Sequence, residues 1–267
     1  MDWVQDRRRV ITGLPFYWIC KNSECARRYK TKTPTDGSWF HMSRIELKKW
    51  LQIMAEFAWG TTASQTSQRV DVGRDTINTM FMSFRDLMVK YFEDFPIKLG
   101  GPGVVCHIDE SCFGHKRKYG RGRCNKCTIW VFGIVDTSTS PGMGYMVAVE
   151  KRDIATLQPI IQTVCRPGTL LYLDKWKAYR SIKENLGFDH ETVCHKDNFV
   201  DPLTGVHTQA IESYWNKHKM LLKLRRGTRQ YCLKHHLAEF MFRERHPGQM
   251  LSALFSLIAA ASPNIDY

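Results

Sequence analysis

Val104-Val105-Cys106-His107-Ile108-Asp109-Glu110 sets an acidic pair directly behind a short apolar run. A run of that length bounded by turn residues predicts a β-strand. Its upstream bound, Gly100-Gly101-Pro102-Gly103, is the clearest breaker cluster in the chain and predicts a domain boundary. The same arrangement recurs from Thr169 to Leu173, an apolar run that ends at Asp174. A carboxylate at the end of a strand projects into the crevice where open α/β sheets bind ligands. Asp109 and Asp174 are therefore the first candidates for a site.

Working outward, Thr128 to Val135 and Gly144 to Glu150 read as two further strands. Ile154 to Val164 reads as a helix with Ile154, Leu157, Ile160, Ile161 and Val164 on one side. Lys177 to Leu186 predicts a helix, His190 to His195 a short strand, and Thr208 to Leu224 a long helix. Three strands, helix, strand, helix, strand, helix is the order of an α/β fold of ribonuclease-H-like type, a mixed sheet flanked by helices. Upstream, apolar residues from Ile45 to Ala58 recur at helical spacing behind Ser43, a possible N-cap by type. A short helical stretch around Ala63 to Val70 and a longer helix from Asp75 to Phe92 follow, with Gly73 between them. That is a helix-turn-helix-like layout, which any three-helix bundle shares. The expected organisation is a segment 1–33, a helical DNA-binding module 34–99, a catalytic domain 100–247 and a C-terminal tail 248–267.

The last long helix supplies a third acid. Ile211, Tyr214, Trp215, His218 and Leu222 form a core-facing stripe, and Glu212 lies one residue off it, at the edge of the buried face. There it can reach toward a sheet and still ionise. Three carboxylates converging on one cleft repel one another unless cations sit between them. Two divalent ions about 4 Å apart resolve this and suit in-line attack on a phosphodiester. Oxygen-only ligation points to Mg²⁺ or Mn²⁺. Singly, each acid reads equally as a turn, cap or solvated residue; their placement in this strand order is what carries the chemistry.

Charge agrees with a polyanionic partner. Lys and Arg number 39 against 26 Asp and Glu, a formal +13. Lys116, Arg117, Lys118, Arg121, Arg123 and Lys126 crowd a Gly-punctuated hairpin. Lys219, Lys223 and Arg226 follow Glu212 at helical intervals, and Lys217, Arg225 and Arg229 widen the patch. Such a ridge contacts phosphates without reading sequence. The N-terminus has no signal-peptide core, and the longest apolar run, Leu254 to Ala261, is far short of the ~20 residues of a membrane span. Nucleic acid is thus favoured over lipid, with no membrane partner and no small-molecule substrate expected. Nine cysteines without an export signal predict a reducing compartment. Cys20 and Cys25 read either as half of a zinc ribbon or as two thiols beside Trp18. Structural zinc needs four ligands, so Zn²⁺ here would be an incomplete site. Cys124 and Cys127, a lone CxxC, read as exposed thiols, and His195, His207 and His218 as core or hydrogen-bonded histidines.

His107-Ile108-Asp109-Glu110-Ser111, Arg117 through Arg123 and Trp130-Val131-Phe132-Gly133 resemble the Merlin transposases and their bacterial insertion-sequence relatives. So do Asp174-Lys175-Trp176-Lys177-Ala178-Tyr179, the run from His195 to Trp215, and Glu239-Phe240-Met241-Phe242-Arg243. The resemblance covers residues 104–246 and implies that Asp109, Asp174 and Glu212 are the catalytic acids of a DDE transposase. It implies metal-dependent cleavage at transposon ends and strand transfer into target DNA, with no covalent protein–DNA intermediate. Double-stranded DNA is the expected partner, bound by a homodimer or larger assembly because two ends must be joined. The location follows the host: nucleus if eukaryotic, cytoplasm or nucleoid if bacterial. The family's preceding cysteine pair is absent, which leaves Cys20 and Cys25 alone. Two competing functions are a transposase-derived DNA-binding protein that no longer cuts and a ribonuclease-H-like nuclease.

Overall fold

The computed structural model describes residues 2–5, 16–24, 30–33, 35–41, 43, 45–113, 129–174, 182–193 and 207–262. Two compact units divide the chain, Met1–Leu87 with His246–Tyr267, and Met88–Arg245.

In the first unit, β1 (Asp2–Gln5), β2 (Phe16–Ile19) and β3 (Thr31–Lys32) form an antiparallel sheet. Three helices follow: α1 (Leu47–Trp59), α2 (Ala63–Val70) and α3 (Arg74–Asp94). Ser43 does not cap α1. The N-cap is Glu46, and the Ser43 hydroxyl instead accepts the Trp50 indole N–H at 2.7 Å. Gly60 ends α1 in the left-handed conformation (φ 81°), where a glycine carries no Cβ penalty. Thr62 and Gln65 start α2 with a reciprocal capping box. Phe57, Phe81 and Phe84 pack ring on ring beneath Trp50 and Trp39. The segment read as a tail contributes α8 (Met250–Ala261), whose Leu254 and Ile258 are buried, and α8 packs against α1. Residues 250–261, read as part of a tail, thus pack within the N-terminal unit, because α1 supplies a partner for their apolar side. The units also part within α3, not at the Gly100 cluster.

The second unit is built on β4 (Val105–Cys112), β5 (Trp130–Asp136), β6 (Met143–Val149), β7 (Leu170–Asp174) and β8 (His190–Val193). Their spatial order is β6-β5-β4-β7-β8. β4–β5 and β5–β6 are antiparallel, whereas β4–β7 and β7–β8 are parallel. The helices are α4 (Ile154–Val164), α5 (Ile182–Leu186), α6 (Gln209–Leu224) and α7 (Leu233–Arg245). α6 packs on β4 and β5, and α7 on β6. Cys165, the C-cap of α4, is buried in the same core as Cys106 on the other face of β4, so helices cover both faces. This mixed α/β sheet with its first strand at the centre is the ribonuclease-H-like arrangement, preceded by a helical region. Gly100 and Gly103 have φ of 72° and 76°, and Gly100 N–H donates to Asp136. The breaker cluster thereby delivers the chain into β4.

Candidate active site

β4 extends further than its hydropathy indicates. β5 pairs with it to the end, matching Asp109 with Gly133 and Cys112 with Trp130. The backbone partner, not the apolar run, sets the strand end, so Asp109 lies inside β4 and not behind it. Side-chain alternation puts His107, Asp109 and Ser111 on one face and Cys106, Ile108 and Glu110 on the other.

Asp174 is the last residue of β7. The last parallel pair of β4 and β7 is His107 with Tyr172, and Asp109 and Asp174 each lie two residues beyond it on adjacent strands. The Asp174 side chain lies outside the described residues. Glu212 sits in the first turn of α6, half-buried at the edge of the stripe Ile211, Tyr214, Trp215, His218 and Leu222, all of which are buried.

Two glycines bring α6 close to the sheet. A Cβ on Gly133 would fall 2.3 Å from Cη2 of Trp215, and one on Gly144 would fall 2.3 Å from Cζ of Tyr214. Both aromatic rings therefore lie in slots that only glycine leaves open. From its slot the Trp215 indole donates Nε1–H to Oδ2 of Asp109 at 2.9 Å. One turn on, Lys219 donates to Ser111 Oγ at 2.5 Å, with its ammonium 5.5 Å from the Phe113 ring centre. Along β4, then, α6 applies an indole N–H to Asp109 and an ammonium to Ser111.

His107 stacks on Tyr172 and meets His207 edge-on. Burial, with His207 adding to it, lowers its pKa to about 4 against an opposing hydrogen bond with the Thr208 backbone. It is neutral at pH 7 and adds no positive charge beside Asp109. His218 is a core residue bonded to Glu244 at 3.0 Å.

The basic patch is redistributed. Lys223 is exposed on α6, but the helix stops at Leu224, and Arg226 lies beyond it with φ 61°. Arg226 is exposed yet off the helical face on which interval counting placed it. Arg225 is not a surface cation: it forks onto Glu239 through two 2.7 Å bonds. Lys217 reaches Glu244 at 3.0 Å. Lys116, Arg117, Lys118, Arg121, Arg123, Cys124 and Cys127 lie outside the described residues, as do Cys25 and His195. Cys20 is buried with a free thiol. Among the described residues no three His, Cys, Asp or Glu side chains form a metal cluster.

Sequence reasoning missed the two slots and the indole bond. Gly133 and Gly144, glycines inside strands, were the available signal, since they often mark a close approach.

A mixed sheet of this strand order, flanked by helices, defines an α/β domain of ribonuclease-H-like type. The chain belongs to the family of ISXO2-like transposase domains, DDE transposases, whose profile matches residues 99–245. No curated protein matches the chain. Among solved structures, a chain of the simian T-cell lymphotropic virus intasome in complex with PP2A regulatory subunit B56 gamma is similar at 14% identity and TM-score 0.33. That match covers 54% of this chain, and this chain spans about half, 51%, of the intasome chain. The Mos1 transposase paired-end complex with the left transposon end is similar at 13% identity and TM-score 0.30, over 80% of this chain and 78% of that one. The mariner Mos1 paired-end complex with Mg gives 13% identity and TM-score 0.31, over 81% and 79%.

Proposed function

We propose that this chain cuts DNA at the ends of a transposable element and joins the freed 3′ ends to target DNA, using Asp109, Asp174 and Glu212. The observation that supports the reading is that Asp109 and Asp174 lie two residues past the last parallel pair of adjacent strands, with α6 tied to Asp109 by Trp215 one turn after Glu212.

Three carboxylates offer oxygen donors only, which fits Mg²⁺ or Mn²⁺ and not a thiolate-loving ion. Two such cations, when bound, supply positive charge for the attacking and leaving oxygens of an in-line displacement. Asp109, Asp174 and Glu212 would hold them. Lys219, beside Ser111, adds fixed positive charge on the same side of β4 for a phosphate. Exposed Lys223 and Arg226, with the cations between residues 116 and 126, would neutralise flanking phosphates without reading bases. The α2–α3 pair carries an exposed polar face, Gln68, Arg74, Thr76, Asn78 and Thr79, over the buried Ile77 and Met80. Such side chains suit base edges in a major groove, so this unit would recognise the element's ends. Joining two ends calls for at least two copies on DNA.

The test is a cleavage and strand-transfer assay on labelled duplex carrying the element's ends, with Mg²⁺ or Mn²⁺, comparing wild type with Asp109→Ala. Metal-dependent nicking and joined products that vanish in Asp109→Ala are expected. Binding without cutting by wild type, in either metal, would instead favour a DNA-binding derivative.

A further inference from the structure

Among the described residues α6 makes polar contacts with β4 through Lys219 on Ser111 and Trp215 on Asp109, and the second touches a candidate acid. Trp215 is 4% exposed, and its six-membered ring fills the slot over Gly133, the residue paired with Asp109 across β4 and β5. A phenylalanine would offer that slot a ring but no N–H. The indole differs in presenting a single N–H at the slot's far edge, and that N–H meets Asp109 Oδ2 at 2.9 Å. Phe113 meets the same indole edge-on at 5.6 Å and Tyr214 at 6.0 Å, so the ring is held from two sides. Three residues earlier on the same helix is Glu212, within one turn of the anchor.

We infer that Trp215 is a positioning residue for the acidic site: its indole fixes the rotation of the Asp109 carboxylate and, through the same contact, the register of Glu212 against β4. The inference rests on the proposed metal-holding role of these acids. A carboxylate ligand that is free to rotate must lose that freedom when it takes a cation. An N–H from a buried, ring-locked donor removes it in advance, as outer partners do for metal ligands generally. The indole N–H is a neutral donor, so it orients the carboxylate while adding no cation to compete with a divalent ion. Gly133 belongs to the same device, because any side chain there would lift the indole away from Asp109.

The experiment measures Mn²⁺ binding by loss of the free-ion electron paramagnetic resonance signal, on the full chain without DNA, for wild type, Trp215→Phe and Asp109→Asn. DNA cleavage is then followed against Mg²⁺ concentration. Trp215→Phe should bind Mn²⁺ about 10–100-fold more weakly and need correspondingly more Mg²⁺ for half-maximal cutting, with the maximal rate recovered at saturating metal. Wild-type Mn²⁺ affinity in Trp215→Phe overturns the inference, including when its melting temperature falls, because the indole would then be packing alone. Asp109→Asn separates the two levels. If it binds Mn²⁺ as wild type does, the metal-site reading itself fails; if it binds weakly while Trp215→Phe does not, only the positioning role fails. Should Trp215→Phe not fold, Gly133→Ala carries the same titration, since its methyl displaces the indole and leaves the N–H intact.

Discussion

α6 faces acids on two sides, and the protein treats them in opposite ways. On the α7 side, Glu239 is fully buried and receives two 2.7 Å bonds from Arg225 and one of 2.7 Å from Arg243. Five residues on, Glu244 takes bonds from Tyr214, Lys217 and His218 at 2.9–3.0 Å. On the β4 side, Asp109 is half-buried and takes its bond from a neutral indole. Cations of the chain neutralise the α7 acids, which lock α7 to α6. The indole on Asp109 orients the carboxylate without itself adding a positive charge. The α7 acids are thus held by cations, whereas Asp109 accepts a hydrogen bond from a neutral ring.

The comparison breaks first at Glu239. Glu239→Ala strands Arg225 and Arg243 inside the domain and should cost about 3–5 kcal/mol in chemical denaturation. A loss below about 1 kcal/mol would mean that the pair is not the lock described here. Glu244 gives a pH signature. Burial raises its pKa, but the hydrogen bond and charge of His218, with Lys217, outweigh this and hold it below its ordinary value. Its contribution is therefore present above about pH 4.3, the ordinary glutamate value, and is lost as pH falls through the lower folded-state value. Thermal melts should show wild type losing stability below that pH and Glu244→Gln, already weakened at pH 7, losing less on acidification. Equal acid slopes would remove Glu244 from the comparison. The smallest effect belongs to Asp109→Asn. Asparagine still accepts the Trp215 N–H, so metal-free stability should stay within about 1 kcal/mol of wild type while cutting is lost. A large loss of stability there would put Asp109 among the structural acids.

Several elements were legible because their signal is local. Ile154 to Val164 forms the predicted helix residue for residue, and the α6 stripe is buried as its spacing requires. Glu212 lies at the edge of that stripe with intermediate exposure, as periodicity placed it. What local pattern could not supply was partnership. Arg225 reads as one more cation in a basic run until α7 brings Glu239 against it. Arg226 fits a helical interval until the backbone turns left-handed there. Asp109 reads as a strand-end acid until β5 extends the ladder past it. Residues 248–267 read as a tail until α8 finds α1.

By itself, the sequence determined the order of strands and helices from β4 to α6 and the excess of positive charge. These follow from side-chain periodicity, backbone preference and composition, properties each segment carries alone. Only the tertiary structure decided which acids are locked by cations and which is held by an indole, and why Gly133 and Gly144 must lack side chains. Those outcomes depend on groups up to 106 positions apart, such as Trp215 and Asp109, meeting at hydrogen-bond distance. Hydrogen bonding and close packing act only over that range, so they exist for this chain once the sheet and α6 have come together.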